Sequence, residues 1–193
     1  MSNSNQVVPQ TVVKTTAPLE IEAQIKKVVR EVADFPRPGI NFYDITPIFL
    51  DPGLFQSIIN KFSVEFSGRI DAVAGIEARG FLFAPSLALS LRVPFVPLRK
   101  PGKLPAQVES VSYNLEYGVD SLEIHQGALA AGSRVLILDD VAATGGTAAA
   151  AIKLVSAVGA ETVACAFVIE LEFLSPRKAL FPVPVFSLVS YKS

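Results

Sequence analysis

The sequence has few of the residues that form disulfides and cysteine-rich metal sites. Its 193 residues include a single cysteine, Cys165, a single histidine, His125, and no tryptophan. One cysteine excludes an internal disulfide and a cluster of thiolate ligands. We therefore expect a cytoplasmic protein, with Cys165 in the core and His125 on the surface.

An excess of charge of one sign and long apolar runs are missing as well. The 17 Lys and Arg residues nearly balance the 18 Asp and Glu residues, so we expect no general attraction to nucleic acid or to an anionic membrane. No apolar run approaches the roughly 18 residues that cross a bilayer. Residues 1–18 lack the basic start and apolar centre of a signal peptide, so we expect a flexible polar tail and then one domain over residues 19–193.

What the sequence does contain is a strand, a loop and a helix in a distinctive order. Residues 135–138 form a continuous apolar run, which is typical of a strand buried on both faces. Residues 148–158 repeat apolar side chains at helical spacing. The loop between them, residues 142–147, contains only Ala, Gly and Thr. Its backbone N–H groups and hydroxyls, lying at a helix N-terminus, predict a phosphate site.

Two acids, Asp139 and Asp140, precede this loop and indicate what else the ligand carries. The loop has no lysine, as a Walker loop would need, and lacks the three spaced glycines of a dinucleotide site. Carboxylates would repel a phosphate, so we expect them to face sugar hydroxyls, from which they accept hydrogen bonds. A phosphorylated sugar such as ribose 5-phosphate satisfies both halves of the motif.

The rest of the chain alternates helical and strand patterns. Helices are predicted over residues 19–32, 54–66 and 81–91, and strands over residues 70–76, 93–98 and 162–171, with a closing edge strand from residue 182. This alternation predicts an α/β fold, a mostly parallel, Rossmann-like sheet flanked by helices. Ligands of such sheets bind beyond the C-terminal strand ends, where Arg79, Arg99 and Asp139 fall.

Three further segments stand out. Residues 99–103, here called the basic loop, carry Arg99, Lys100 and Lys103, and the run is interrupted by Pro and Gly, which excludes a solvated helix face. Together with Arg79, these cations predict a diphosphate site. Residues 108–115 and 121–124 alternate in polarity and predict a hairpin that projects as a lid. Residues 35–53, here called the hood, are rich in Pro and aromatic residues and are equally consistent with a packed cover or with a surface for a flat ring.

Five segments in this order carry a family resemblance. They are FPRPGINFYDITP, GIEARGFLFAPSLA, RKPGKLP, SYNLEYG and DDVAATGGT. Over residues 17–191 the chain resembles the adenine phosphoribosyltransferase family, a branch of the type I phosphoribosyltransferases. The resemblance implies transfer of a 5-phosphoribosyl group from 5-phosphoribosyl 1-diphosphate to adenine, giving AMP and diphosphate with Mg²⁺. It also implies a homodimer and a cis peptide bond between Glu77 and Ala78.

The resemblance assigns roles to individual residues. Those at the ribose 5-phosphate would be Asp139, Asp140, Ala143, Thr144, Gly145, Gly146 and Thr147. Those at the diphosphate would be Glu77, Ala78, Arg79, Gly80, Arg99, Lys100 and Lys103. Adenine would meet Asn41, Phe42 and Tyr43, and the catalytic residues would be Glu116, Tyr117 and Arg79, with Tyr113 helping to close the lid. Magnesium would be held mainly by substrate and water, without a dedicated set of protein ligands.

The chain departs from the family pattern in the hood, and alternatives remain open. Tyr43 replaces a usual basic residue and Asn41 a usual aliphatic one, so any difference from the family is expected in the choice of base and not in the chemistry. The alternatives are a phosphoribosyltransferase for another nucleobase and a non-catalytic regulator that senses 5-phosphoribosyl 1-diphosphate. Glu170 and Glu172 are weaker candidates for contact with substrate or cation.

Overall fold

The computed structural model of the protein describes residues 20–115 and 118–192. The predicted tail and the lid residues Glu116 and Tyr117 lie outside the described residues. The helices are α1 (Ile21–Val28), α2 (Pro52–Phe66), α3 (Ala84–Leu91), α4 (Gly146–Ala157) and α5 (Pro176–Leu180). The strands are β1 (Arg30–Val32), β2 (Phe42–Asp44), β3 (Ala72–Ile76), β4 (Phe95–Leu98), β5 (Val108–Leu115), β6 (Gly118–His125), β7 (Arg134–Ala142), β8 (Glu161–Leu171) and β9 (Val185–Tyr191). Short 3-10 helices cover Thr46–Leu50, Arg79–Leu82 and Glu172–Leu174.

The centre of the fold is a five-stranded sheet in the order β4-β3-β7-β8-β9. Every neighbouring pair in it is parallel, which confirms the predicted fold class. The chain passes from β3 to β4 on one side of the sheet and from β7 to β8 and β9 on the other. The loops after the neighbouring strands β3 and β7 therefore open side by side. Both strands lead into the segments that the sequence marked as ligand-binding.

Strand β7 is buried on both faces because its side chains alternate between two hydrophobic cores. Leu136 and Leu138 contribute to the core beneath α1, α2 and α3, whereas Val135 and Ile137 contribute to the core beneath α4. All four side chains are fully buried. The strand continues to Ala142, four residues beyond the predicted apolar run, because residues 139–142 keep pairing with β8. The two aspartates are therefore held by the sheet and not by a mobile loop.

The predicted helix over residues 19–32 is wrong in its last third. Helix α1 ends at Val28, and Val29 is already extended. The next three residues form β1, which pairs antiparallel with β2 of the hood. The apolar spacing fitted a longer helix, but the partner strand that competes for residues 30–32 is distant in sequence and could not be anticipated locally.

The predicted hairpin is confirmed, although its second strand begins earlier than expected. Strands β5 and β6 pair antiparallel as a separate two-stranded sheet. Arg99 and Glu123 form a backbone bridge that ties the hairpin to the end of β4. Among the described residues, no helix is long and apolar enough to cross a membrane.

Candidate active site

The loop over residues 143–147, here called the phosphate loop, joins β7 to α4. Gly145 has φ +84° and its carbonyl oxygen accepts the first helical hydrogen bond, 2.9 Å from the Ala149 nitrogen. A side chain cannot replace the glycine, because a Cβ atom there would lie 2.8 Å from the Pro176 oxygen. No side chain caps α4, so the N–H groups of its first turn remain available to an anion.

Asp139 and Asp140 follow the buried part of β7 and lie in different surroundings. An Asp139 carboxylate oxygen accepts a hydrogen bond from the Asp140 N–H at 2.9 Å. The buried Asp140 carboxylate forms an ion pair with Arg79, with 3.0 Å between Oδ2 and Nε. Burial, and then the charge of Asp140, raises the pKa of Asp139 well above its ordinary value. Burial also raises the pKa of Asp140, against the opposing effect of Arg79. Two neighbouring carboxylates repel each other when both are charged. The pair therefore favours a ligand that donates hydrogen bonds to it.

Gly80 allows the segment after β3 to approach Asp139. A Cβ atom at this position would lie 2.6 Å from the Leu138 oxygen and 3.2 Å from an Asp139 carboxylate oxygen. The Glu77–Ala78 peptide bond is cis, as the family resemblance implies. The segment 77–80, predicted at the diphosphate, therefore lies directly beside the acids predicted at the ribose.

Arg79 connects the end of the sheet to the hood. Its guanidinium carbon lies 5.4 Å from the centre of the Phe42 ring, and its Nε lies beside Asp140. Phe42 also packs edge to face against Phe35, with ring centres 5.1 Å apart. One cation thus joins the aromatic ring predicted at the base to a carboxylate predicted at the sugar.

Glu77 compensates the charge of the basic loop. Its carboxylate accepts hydrogen bonds from Arg99 Nη2 at 3.0 Å, Lys100 N at 2.9 Å and Lys103 Nζ at 2.9 Å. These bonds, with that from Arg99 foremost, lower the pKa of Glu77 to about 2. The acid is therefore ionised at neutral pH and holds in place three of the residues predicted at the diphosphate.

Lys100 pairs with the lid, a contact that the sequence did not predict. Its ammonium group forms an ion pair with Asp120 on β6 and a 3.0 Å hydrogen bond with Tyr113 Oη on β5. Although burial opposes both shifts, this contact lowers the pKa of Asp120 and raises that of Lys100. Tyr113 and Asp120 are cross-strand partners, so a correct hairpin register would have identified Asp120.

The hood residues divide between the site and the core. Phe42 is half-buried beside Arg79, but the next side chain along β2, that of Tyr43, points to the opposite face. Tyr43 is buried and packs on Tyr191, with ring centres 4.4 Å apart. The expectation that the Tyr43 side chain faces the base therefore needs correction. Asn41 is exposed and donates a 3.4 Å hydrogen bond to Glu31.

Three of the remaining candidates have structural roles in the described part of the chain, and the fourth is exposed. Cys165 is fully buried, as predicted, and the His125 ring bonds to the Pro105 carbonyl oxygen. Glu170 is buried and bonded to Arg177 and Ser187, so its oxygens are occupied within the protein. Glu172 is exposed in the 3-10 helix that follows β8.

The residues present fit a magnesium ion only if a substrate supplies most of its ligands. Within residues 20–115 and 118–192, no group of three or more Asp, Glu, His or Cys side chains could hold a metal. Asp139 and Asp140 offer two neighbouring carboxylates, whereas Mg²⁺ requires about six oxygen ligands. Phosphate oxygens and water would have to complete the shell.

Comparison with known proteins gives one consistent result. A family model described as a phosphoribosyl transferase domain matches residues 52–179. The chain is 51% identical over 168 residues to the adenine phosphoribosyltransferase of Solibacter usitatus, covering 86% of this chain and 97% of that protein. It is 52% identical over 169 residues to adenine phosphoribosyltransferase 3 of Arabidopsis thaliana, covering 87% and 92%.

Solved structures give the same result for the fold. The crystal structure of adenine phosphoribosyltransferase from Thermoanaerobacter pseudethanolicus is similar with a TM-score of 0.85 and 48% identity, covering 88% of this chain and 99% of that one. The enzyme from Saccharomyces cerevisiae, solved with an imino-altritol bisphosphate and adenine, has a TM-score of 0.84 at 45% identity, covering 87% and 98%.

Proposed function

Because this chain belongs to the adenine phosphoribosyltransferase family, we propose that it transfers the 5-phosphoribosyl group of 5-phosphoribosyl 1-diphosphate to N9 of adenine. The products are AMP and diphosphate, and the role is purine salvage. The observation that carries the proposal is the phosphate loop, which has no cation of its own and begins three residues after the second of the two aspartates. A sugar phosphate matches that pairing of sites, and a nucleoside triphosphate does not.

The ribose 5-phosphate lies between Asp139 and the first turn of α4. Backbone N–H groups of Gly146 and Thr147, with the Thr144 and Thr147 hydroxyls, donate to the 5-phosphate. Asp139 and Asp140 accept hydrogen bonds from the sugar hydroxyls, and Ala143 leaves room for the sugar. Fixing the sugar at both ends orients C1 for displacement, which is the main entropic contribution available to this step.

The leaving diphosphate is stabilised by the cations around Glu77. As the bond from C1 to the diphosphate oxygen breaks, positive charge develops on the sugar and negative charge on the leaving group. Arg79, Arg99, Lys100 and Lys103 stabilise the latter, together with backbone groups of residues 77–80. Each of the four cations is paired with an acid in the structure, so the diphosphate must displace or share those partners.

The base binds under the hood and is activated from the lid. Phe42 stacks on adenine, and the backbone of Asn41 bonds to the edge of the base. Glu116 accepts the proton of the purine imidazole or bonds to its N7, which makes N9 the better nucleophile, and Tyr117 and Tyr113 close the lid over it. The contact between Arg79 and Phe42 supports this arrangement, since it brings the hood to the diphosphate side of the sugar.

The proposal also includes a magnesium cofactor, the oligomeric state and the cellular location. Asp139 and Asp140 are the protein groups that would hold Mg²⁺ or its waters, and the ion would supply positive charge for the diphosphate. A homodimer and a cytoplasmic location complete the proposal.

A base panel tests the function. The protein is incubated with 5-phosphoribosyl 1-diphosphate, Mg²⁺ and adenine, hypoxanthine, guanine, xanthine or orotate in separate reactions, and nucleotides are separated by chromatography. We expect AMP from adenine and no comparable product from the other bases. Product only from another base would contradict the proposal and indicate a phosphoribosyltransferase for that base. Binding of 5-phosphoribosyl 1-diphosphate without any product would favour a regulator.

A further inference from the structure

Glu170 is a buried charge that the proposed reaction does not use. In the described part of the chain, only Asp140 matches it as a charged residue removed from solvent. Arg177 donates to both Glu170 oxygens, from Nε and from Nη2, each at 2.7 Å. Ser187 Oγ adds a 2.6 Å hydrogen bond. Burial alone would raise the pKa of Glu170, but these bonds outweigh it and lower the pKa, so the carboxylate is ionised.

The ion pair determines where α5 sits. Arg177 is the second residue of this five-residue helix, and its guanidinium also donates to the Val185 oxygen at 3.1 Å. One side chain therefore ties α5 to β8 through Glu170 and to the start of β9. A helix this short is not stable by itself, so its position depends on such contacts. The Glu170 carboxylate is buried, whereas the Arg177 side chain is 57% exposed. Ion pairs that include a buried charge contribute little net stability, but they can specify one conformation.

Helix α5 in turn supports the phosphate loop. The position of a Cβ atom on Gly145 would be 2.8 Å from the Pro176 oxygen and 3.1 Å from the Ala179 Cβ. The backbone of α5 therefore packs directly against Gly145, the residue whose left-handed conformation starts α4. Pro176 immediately precedes Arg177, so a displaced guanidinium would move the surface on which Gly145 rests.

We propose that Glu170 and Arg177 are positioning residues for phosphate binding. Through Pro176 they hold Gly145, and with it the N–H groups of the first turn of α4, in the arrangement that receives the 5-phosphate. Neither side chain contacts the substrate. The proposal rests on the proposed function, because it takes the ligand of the phosphate loop to be a sugar phosphate.

The test measures binding separately from catalysis. Glu170→Gln keeps the side-chain shape but leaves the Arg177 charge without its partner. We expect the dissociation constant for ribose 5-phosphate, measured by calorimetry, and the KM for 5-phosphoribosyl 1-diphosphate each to rise about tenfold. The kcat and the KM for adenine should stay within about twofold, because the base and diphosphate sites are not moved. Arg177→Lys, which keeps a positive charge beside Glu170 but not the paired donors, should show a smaller loss of affinity than Glu170→Gln.

Two further variants separate positioning from loss of stability. Ile58→Ala removes buried methyl groups from α2, on the other core, and should lower the melting temperature without changing ribose 5-phosphate affinity. If Glu170→Gln yields no folded protein, Ser187→Ala removes a single hydrogen bond and should weaken ribose 5-phosphate binding about two- to threefold. Equal affinity in the Glu170 or Ser187 variant and in the unaltered protein would overturn the proposal.

Failure of the proposed function would look different. A protein that binds ribose 5-phosphate but makes no AMP would contradict the function and still report on Glu170 through binding. No binding of ribose 5-phosphate by the unaltered protein would overturn the positioning proposal as well, because the phosphate loop would then not be a sugar-phosphate site.

Discussion

The two anion sites proposed on this sheet hold negative charge by different means. The phosphate loop after β7 offers backbone N–H groups at a helix N-terminus and contains no cationic side chain. The site after β3 and β4 offers Arg79, Arg99, Lys100 and Lys103, each already paired with an acid. The first site is preorganised by the backbone, and the second must exchange ion-pair partners when its ligand arrives.

The difference matches what each site does in the proposed reaction. The 5-phosphate stays bound throughout, so a rigid site that costs nothing to reorganise suits it. The diphosphate gains charge as it leaves, and cations that can move between an internal acid and the ligand can follow that change. Lys100 also pairs with Asp120 on the lid, so a diphosphate that displaced Asp120 from Lys100 would change the contact that holds the hairpin.

The largest expected effect comes from the acids beside the phosphate loop. Replacing Asp139 and Asp140 together with asparagine removes charged acceptors from the sugar and leaves Arg79 without its partner. Hydrogen bonds to charged groups contribute about 1.5–3 kcal/mol each, so kcat/KM for 5-phosphoribosyl 1-diphosphate should fall about 10²- to 10⁴-fold. Steady-state kinetics would measure the loss.

Asp71→Asn is the matched control for this pair. Asp71 immediately precedes β3 and pairs with Arg134, the first residue of β7, so the pair lies at the N-terminal ends of these strands, opposite the site. The same change from carboxylate to amide at Asp71 should leave kcat/KM unchanged within about twofold, since neither group faces the site. Turnover that survives the double change at Asp139 and Asp140 would remove the basis for the whole ribose assignment.

A smaller effect is expected from Gly145→Ala, which tests the preorganised site. The left-handed backbone costs about 1–2 kcal/mol with a Cβ atom present. The methyl group would in addition contact the Pro176 oxygen at 2.8 Å. We expect the KM for 5-phosphoribosyl 1-diphosphate to rise at least about tenfold.

Gly159→Ala is the control. Gly159 has the same kind of backbone, at φ +80°, but a Cβ atom there would have no neighbour closer than 3.7 Å. It should lower stability alone, and an equal KM increase in both variants would contradict the argument.

The preorganised half of the site was also the half that the sequence predicted well. The apolar run ending at Leu138, the adjacent acids and the small-residue loop are local features, and their order is enough to predict the strand, the loop and the helix that follows. The phosphate at the helix start remains a prediction. Most of the central sheet was predicted for the same reason, since β3, β4, β7 and β8 each contain an uninterrupted run of largely apolar residues. Helix α4 begins within two residues of its predicted start.

For the ion-paired half of the site, the sequence predicted which cations are present but not which acids pair with them. The sequence identified Arg99, Lys100 and Lys103 as a cluster but could not assign their partners, because Glu77 and Asp120 come from other strands. Tyr43 was misjudged for a similar reason. Whether it faces the base or the core depends on the register of β1 with β2, and that register is a contact between distant residues.

A further effect, about fivefold to tenfold, is expected when one cation of the ion-paired site is removed. Lys103→Met deletes an exposed ammonium group that bonds to Glu77 and leaves Arg99 in place. Inhibition of the reaction by added diphosphate should weaken by that factor, whereas the affinity for ribose 5-phosphate should not change. Lys153→Met on the exposed face of α4 is the control, and it should change neither constant. Weaker binding of both ligands by the Lys103 variant would mean that the two sites are not separate.

The smallest effect concerns stability at acid pH and tests whether Glu77 is the acid that organises the cations. Its pKa is lowered from 4.5 to about 2 in the folded protein. A depressed pKa means that the stabilisation is complete above the unfolded value and is lost as pH falls from about 4.5 towards 2. Between those limits, the urea midpoint of the unaltered protein should therefore decline more steeply than that of Glu77→Gln, which has no proton to take up at this position. Above pH 5 the two curves should run parallel, with the Gln variant lower, because Arg99 and Lys103 repel each other once their shared acid is neutral. Parallel curves over the whole pH range would contradict the claim that Glu77 organises the cations of this site.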